Sequence, residues 1–512
     1  MSTIYLAEIT AAIDAAGTTT VLRYATQGYN TTPTDTPANT HYAPRILQPA
    51  LMQRDLFSSG KTYGKSSVSY GELVISNIDG ALDYLIPYSF GGRDLTIKAG
   101  DSRAAYSTFS TVLKITIEGA DFDDKTVTFR IKDNLLLLDK PLCTNFYLGS
   151  NTNGAGLEGG DELAGKLKPV LIGEAYNMTP NCVNTSLLIY QVNDGAVAWV
   201  GNVYDNGVAI GAATLYSSIA DLLANAPAPG FYREYRAGGY FRLGSVAGQV
   251  TADVQETVSS SCTAVNMMNR VASRMGLTIN AADQSTVNAA LTNYLQKGTS
   301  GLLVTSESVT GLEAMEAFSS SINAWYGFDW RGQLRIGLFS DPNYLPVTAE
   351  LYPSNIIKLQ KITARDENKG VPVWKVNVSY LKNYTVQTAG LAGATTTDHR
   401  ALVRQEYRIQ TASDETVKAR YFNAGVLERT VPMNYSAEAF YLADSLLNLY
   451  KTPRAMYELS VRASNDILSL LDLGGVVNVV YPRFQLDDGK LLMIIGLRAD
   501  LRNNSLKLTL WG

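Results

Sequence analysis

Only two histidines occur in the chain, His41 and His399, and any mechanism that needs an imidazole base must recruit one of them. His41 stands in a polar loop, and His399 follows Thr396-Thr397-Asp398, which also reads as loop. A serine or cysteine nucleophile needs such a base within hydrogen-bond reach, and no serine lies in a G-x-S-x-G context. Ser59-Gly60-Lys61-Thr62-Tyr63-Gly64-Lys65-Ser66 approaches a phosphate-binding loop, with Ser59 where the first glycine belongs. That motif works only between a buried strand and a helix whose N-terminal amides face the phosphate. Here the next segment, Val68 to Ile75, reads as strand, so a glycine turn between strands is the better reading.

Carboxylates are the other source of chemistry. Asp121, Asp123 and Asp124 lack the third alternating ligand and the glycine of a calcium loop, and Asp487-Asp488-Gly489 reads as a hairpin turn. A glycosidase brings its two carboxylates together from distant positions, which leaves a glycan-degrading alternative open without a signature to support it. Cys143, Cys182 and Cys262 are too few and too dispersed for a disulfide framework. No two lie at CxxC spacing, and a four-cysteine iron–sulfur site lacks a ligand, so buried free thiols are expected. No catalytic residue, metal or cofactor is assigned, and the chain is read as a non-enzyme.

The elements that would hold any such site are mostly strands. At 512 residues, with 46% hydrophobic and 18% charged residues, the chain is globular and long enough for several cores. A formal charge of −4 argues against general nucleic-acid affinity, which needs clustered Lys and Arg, but not against DNA in transit through a lumen. The 30 tyrosines suit strands and interfaces alike. Met1 to Glu8 has no basic stretch before an apolar one, and no run approaches a membrane span, so neither a secretory signal nor a span is expected.

Val21–Tyr24, Val68–Ile75, Leu95–Lys98, Lys114–Glu118 and Val127–Lys132 read as strands, separated by a long polar loop from Gly28 to Tyr42 and a turn at Asn77-Ile78-Asp79-Gly80. From Cys143 to Asp253 the chain becomes Gly-rich, with isolated strands such as Leu187–Val192. A helical block follows: Val265, Met268, Ala272 and Met275 share a face, and Thr310-Gly311-Leu312-Glu313 is a capping box opening a helix with Leu312, Met315, Phe318 and Ile322. The pattern Ala324–Asp329, turn at Arg331-Gly332, Gln333–Leu338 adds a hairpin. The last part is strand-rich again, with one helix from Ser436 to Tyr450 carrying Phe440, Ala443, Leu447 and Tyr450, and turns at Asp487–Gly489 and Asn503-Asn504. The expected fold is mainly β with an α+β insert. Four domains are expected: a β-barrel-like 1–142, a Gly-rich β domain 143–253, a small α/β domain 254–347, and a β-barrel-like 348–512 with one helix.

Leu157 to Pro169, Ile189 to Gly195, Val203 to Gly207, Phe241 to Gly244 with Gly248 to Val254, and the ending Gly474 to Gly512 form an ordered series. This series resembles the baseplate hub (tail-tip) proteins of long-tailed bacteriophages and prophages. The resemblance implies two small β-barrel or sandwich domains flanking the middle ones. It further implies a homotrimer that imitates six-fold symmetry and joins the tail tube to the tip. Distal tail protein, tape-measure protein and fibre proteins would be partners, with DNA passing only through the lumen. The location would be the virion tail tip, after synthesis in the host cytoplasm. The alternatives are a receptor- or carbohydrate-binding tail protein, suggested by Tyr and Trp, and a cell-wall hydrolase. Within the Gly-rich stretch Gly154 to Pro169, Asp161, Glu162, Lys166 and Lys168 carry both charge signs and are the expected interface residues, against the plainer reading of a connecting loop.

Overall fold

Period-two alternation builds most of the chain into antiparallel sheet, because each strand then offers one apolar face to a core. The computed structural model describes residues 3–49, 52–56, 61–70, 72–151, 155–293, 297–363, 370–462, 471–500 and 505–512. Strand exceeds helix, 41% against 18%, so the protein is mainly β, with sheets curled into half-barrels. Among these residues no helix is long and apolar enough to cross a membrane.

The chain divides into two units, each assembled from separated segments. The first holds Met1–Leu137, Trp325–Gly370 and Pro453–Gly512; the second holds Leu138–Ala324 and Val371–Thr452. The four consecutive domains expected from the sequence do not run parallel to this division. The strand-rich beginning and ending share one unit. The 254–347 segment gives the helix Gly311–Ser320 to the second unit and the strand Leu334–Leu338 to the first.

Two sheets make up most of the first unit. The N-terminal one contains β1 (Thr3–Ala12), β2 (Thr19–Ala25), β3 (Ile46–Gln48), β6 (Leu73–Ser76), β7 (Asp94–Asp101), β8 (Ser110–Phe122) and β9 (Thr126–Lys132), in the order β2-β1-β7-β8-β9-β6-β3. The C-terminal one contains β10 (Val347–Leu351), β11 (Ile356–Ile362), β12 (Met456–Arg462), β13 (Val476–Tyr481), β14 (Leu486–Asp500) and β15 (Ser505–Trp511), in the order β10-β13-β14-β15-β12-β11. Leu95, Ile97, Leu113, Ile115, Ile117, Val127 and Phe129 alternate along β7, β8 and β9 and are all buried. Each stabilises the fold by about 2 kcal/mol relative to exposure, so a one-residue slip of register would turn this whole set to water.

The N-terminal segment does not close on itself. Between β3 and β6, the strands β4 (Met52–Asp55) and β5 (Ser67–Tyr70) pair with each other, and β4 pairs antiparallel with β14, placing Gly496 opposite Asp55 and Leu497 opposite Arg54. Arg54 is fully buried there; its guanidinium meets the Asp472 carboxylate and lies 5.2 Å from the Trp330 ring centroid. Nε and Nη2 of Arg54 have no hydrogen-bond partner among the described residues, so the charge is only partly compensated.

In the second unit a nine-stranded sheet includes Val170–Met178 and Gly301–Val304, antiparallel except where Val208–Ala212 meets Phe231–Tyr235. The helix Ala264–Arg274 packs against Gly311–Ser320, and Thr263 and Thr310 cap them by accepting from Asn266 N and Glu313 N. A further helix, Ala281–Asn293, went unread in the sequence because its apolar residues keep no face. The helix Ser436–Tyr450 covers strands of the three-stranded sheet Val373–Tyr380, Arg408–Ser413 and Gly425–Thr430. Ala443, Leu447 and Tyr450 are buried as expected, but Phe440 is exposed, since the apolar stripe runs instead through Ala439, Leu442 and Leu446.

Three local expectations change. Val68–Ile75 is two strands, β5 and β6, interrupted before Leu73. The Gly28–Tyr42 loop carries a small ribbon, Tyr29–Asn30 paired with His41–Tyr42. The hairpin between β13 and β14 turns at Pro482–Gln485, where Phe484 and Gln485 take φ of 64° and 61°, rather than at Asp487-Asp488-Gly489. Those three residues are already in β14, opposite a shift of register, with Gly489 at φ 84°. The reading of Asn503-Asn504 as a turn lies outside the described residues.

Replacing Arg54 by Ala removes the buried member of a pair whose Asp472 is partly exposed and also meets Arg335. It is expected to cost about 3 kcal/mol, chiefly for the emptied volume, whereas Met, which fills the volume without a charge, recovers most of it. Urea denaturation of both variants checks this. Equal loss in Arg54→Ala and Arg54→Met would show that the charge and its pairing with Asp472, not the filled volume, is what β4 needs.

Candidate functional site

The two sheets of the first unit are the same construction made twice. In each, a three-stranded meander (β7-β8-β9; β13-β14-β15) is followed by an earlier strand (β6; β12) and then by a still earlier edge strand (β3; β11), all antiparallel. The registers agree residue for residue as far as Ile97 and Val479, after which both meander hairpins shift register, each in its own way. Asp94 pairs with Thr116 as Val476 pairs with Met493; Phe129 pairs with Leu73 as Leu508 pairs with Leu459. The sheets part company at the next strand, where β1 runs antiparallel to β7 but β10 runs parallel to β13.

Their irregularities coincide as well. On β8 the register skips Glu118, between Ile117 and Gly119; on β14 it skips Ile495, between Ile494 and Gly496. On the edge strands it skips Leu47 and Ile357, each opposite a step from one residue of β6 or β12 to the next. Both extra edge residues are apolar and exposed, 55% for Leu47 and 59% for Ile357. Entry to each meander is also the same: Gly92 N donates to Ile117 O at 2.9 Å and Ile117 N to Arg93 O at 2.8 Å. Likewise Gly474 N donates to Ile494 O at 2.9 Å and Ile494 N to Gly475 O at 2.8 Å. Gly92 and Gly474 have φ of 76° and 79°, a region that favours glycine, so the two share one backbone turn. An extra residue kinks its strand and increases local twist, so shared bulges give the two sheets a shared curl. The signals that could have exposed the repeat are Gly91-Gly92 beside Gly474-Gly475 and the two Ile-x-Gly triplets.

The residues expected at an interface lie in the second unit, in a stretch that is folded down over its described length; Gly154 lies outside the described residues. Gly159 N donates to Val183 O, Tyr147 N to Lys166 O and Lys168 N to Asn145 O, while Leu163 is buried beside Tyr147, Val183 and Ile189. Asp161, Glu162 and Lys166 are exposed. Lys168 is not free for a partner in the same way: its Nζ lies 2.7 Å from Glu158 Oε1 and 5.4 Å from the Tyr147 ring centroid. Substituting Lys168 therefore perturbs the loop itself, as does substituting Glu162, whose Oε1 accepts from Gly160 N at 3.2 Å, so Asp161 and Lys166 report on contacts most directly.

His399 lies in the first turn of a short helix, Thr397–Val403, where its N–H donates to the capping Thr396 Oγ1; the expected loop is a helix start that Thr396 announces. Its ring stacks on Tyr204 with centroids 4.0 Å apart. Nearby, buried Asp253 accepts from Asn177 N (2.9 Å), Tyr204 Oη (2.9 Å) and Asn202 Nδ2 (3.2 Å). A catalytic dyad requires the carboxylate to orient the imidazole through a hydrogen bond. Here the carboxylate's acceptor sites serve the sheet, and the imidazole stacks. The cluster is a structural polar core.

The remaining motifs are likewise structural. Gly64–Lys65 pairs in parallel with Trp325–Tyr326 and β5 follows, so no helix N-terminus faces Lys61–Ser66; Ser59 and Gly60 lie outside the described residues. Asp121 pairs with Arg130, and Asp123 accepts from Lys125 N, Thr126 N and Thr126 Oγ1, forming the β8–β9 turn. Among the described residues no three His, Cys, Asp or Glu side chains group as a metal site. Cys143 and Cys262 are buried free thiols, pushed up to about 11 and about 12 by burial; Cys182 is half-buried.

No family model matches the chain, and no curated protein matches it. Among solved structures it is similar to the 43 kDa tail protein of prophage MuSo2 from Shewanella oneidensis. There the identity is 10% and the TM-score 0.42, over 100% of this chain and 96% of that one. It is similar to the tail protein from Neisseria meningitidis MC58 at 10% identity and a TM-score of 0.37, over 99% and 96%. A chain of the native gene transfer agent virion matches at 14% identity and a TM-score of 0.39, over 71% of this chain and 90% of that one. These neighbours are tail and virion proteins, the class that the sequence resembles.

Burial holds the His399 pKa below its usual value, with Asp253 opposing weakly, so the folded state prefers the neutral ring. Its contribution to stability is present above the unfolded value of about 6.5 and is lost as pH falls from there through the lower folded value. Burial raises Asp253, which acts in the opposite sense, so the informative quantity is the difference from a His399→Phe variant that keeps the stacking. Between pH 7.5 and 5.5 the wild type is expected to lose more melting temperature than His399→Phe. Identical pH profiles would remove His399 from the account.

Proposed function

We infer that the chain is a structural subunit of a phage-type tail, placed in the baseplate hub at the tail tip. The observation that carries this reading is the sheet made twice. A ring of three such chains presents six copies of one curled sheet, and so can join a six-fold tube to a three-fold tip without breaking the symmetry of either. Closed cyclic symmetry also limits the assembly to one ring. In this reading the distal tail protein and tape-measure protein are the axial partners, and the tape measure and then DNA pass through the centre. The chain's formal charge of −4 suits a passage that does not hold DNA. Asp161, Glu162 and Lys166, exposed on an ordered loop, are proposed contacts with neighbouring tail proteins.

The carbohydrate-binding alternative finds little in the tryptophans. Trp325 and Trp511 are buried; Trp199 is exposed, but its indole lies across its own Gly201, where an added Cβ would come within 2.5 Å of it. The hydrolase alternative needs a nucleophile or paired acids that neither His399 nor the Asp121–Asp124 turn provides.

Native mass spectrometry of isolated tail tips is the test. Three copies per tip are expected. One copy, or an open-ended series of copies, contradicts the reading.

A further inference from the structure

The repeat exposes an asymmetry. In the C-terminal sheet, β14 outruns β13, and the backbone edge left beyond Met493 is occupied by β4: Gly496–Ala499 pair with Asp55–Met52, and Leu56 N donates to Ile495 O at 2.7 Å. The corresponding edge in the N-terminal sheet is Gly119–Phe122 of β8, beyond Thr116, where β7 has ended. No strand pairs with it on that side among the described residues.

The two glycines of the repeat tell the same story independently. Gly496 is buried, and a Cβ there would lie 2.4 Å from Asp55 Oδ1 of the docked strand and 2.9 Å from Thr509 Cβ of β15, so glycine is fitted to a position crowded from both sides. Gly119 is half-exposed, its φ is not positive, and a Cβ would meet nothing nearer than Arg130 Nη2 at 3.7 Å. Nothing within the described chain demands a glycine at 119. Residues 120–122 are also only partly covered, whereas Leu497 beneath β4 is buried.

We propose that the Gly119–Phe122 edge of β8 is the docking site for a strand from a second copy of this chain, repeating between subunits the β4–β14 pairing seen within one. The inference rests on the ring reading above and names the contact that closes the ring. Unpaired backbone N–H and C=O groups make such an edge a template for strand addition, and glycine opposite the incoming strand lets the backbones approach. A second copy is the occupant because the equivalent edge is already filled by this chain's own β4. The contact is heterologous, as a cyclic ring of three requires.

The test uses the full-length chain with Gly119→Val, for which the fold has room, and Ala120→Pro, which removes the edge N–H. Continuing the alternation from Ile495 O, this is the N–H that faces the vacant side. Thermal melting establishes that each variant is folded. Sedimentation velocity across a concentration series then measures self-association, with assembled particles as the second readout. The wild type is expected to form trimers, and both variants are expected to melt normally while needing at least about tenfold more protein to associate. If the wild type is monomeric in solution, the same variants should fail to enter tips in particles. Variants that assemble like the wild type overturn the docking site and leave the ring reading standing. A wild type that is monomeric in solution and present once per tip overturns both. Cross-linking of Ala120→Cys to a different tail protein, with no link to a second copy, overturns the choice of occupant.

Discussion

One extra residue in the middle strand of each sheet governs the first unit. Glu118 on β8 and Ile495 on β14 displace the ladder with β9 and β15 by one position just before a glycine, and beyond that point the pairing with β9 and β15 continues in the shifted register. β8 and β14 also outrun β7 and β13, so beyond the extra residue each stays paired with β9 or β15 on one side and presents an edge on the other. Without the bulge the sheets would be flatter.

That docking ties distant parts of the chain together. β4 belongs by sequence to the first sheet and by hydrogen bonding to the second, and the Arg54–Asp472 contact fixes it there, with Asp133 adding to the compensation of the Arg54 charge. The cost of burying a guanidinium is accepted where it makes one register of pairing unambiguous, since any shift would move the charge away from its carboxylate. The second unit is interposed in sequence in two pieces, one after β9 and one after β11.

Features written in contiguous residues were legible beforehand. The strands Val127–Lys132 and Lys114–Glu118, the Thr310 cap and the Ser436–Tyr450 helix follow from alternation, capping chemistry and helical spacing, which act over a few residues. The misreadings arose where a nonlocal partner decided. Asp487-Asp488-Gly489 has turn composition, but Pro482 starts the turn and pairing with β13 draws the Asp-Asp-Gly run into strand. Phe440 has helical spacing with Ala443 and Leu447, yet the sheet beneath the helix takes Ala439 and Leu442 instead. The repeat itself was legible only as a similarity of style between the two ends. Its strands match in register while sharing few identities beyond Ile46 with Ile356, Gly92 with Gly474, Ile117 with Ile494 and Gly119 with Gly496, and insertions of different length destroy any fixed period. Of the expected interface residues, the sequence could show their charge but not that Lys168 turns back to Glu158.

The measurement that bears most directly on the central claim is a reconstruction of the tail tip calculated without imposed symmetry. The expected density has the N-terminal and C-terminal sheets of each chain alternating around the axis at one radius and one height, about 60° apart, with only three-fold order in the rest of the chain. Sheets at different radii or heights, or a tip in which only one of the two faces the axis, would contradict it.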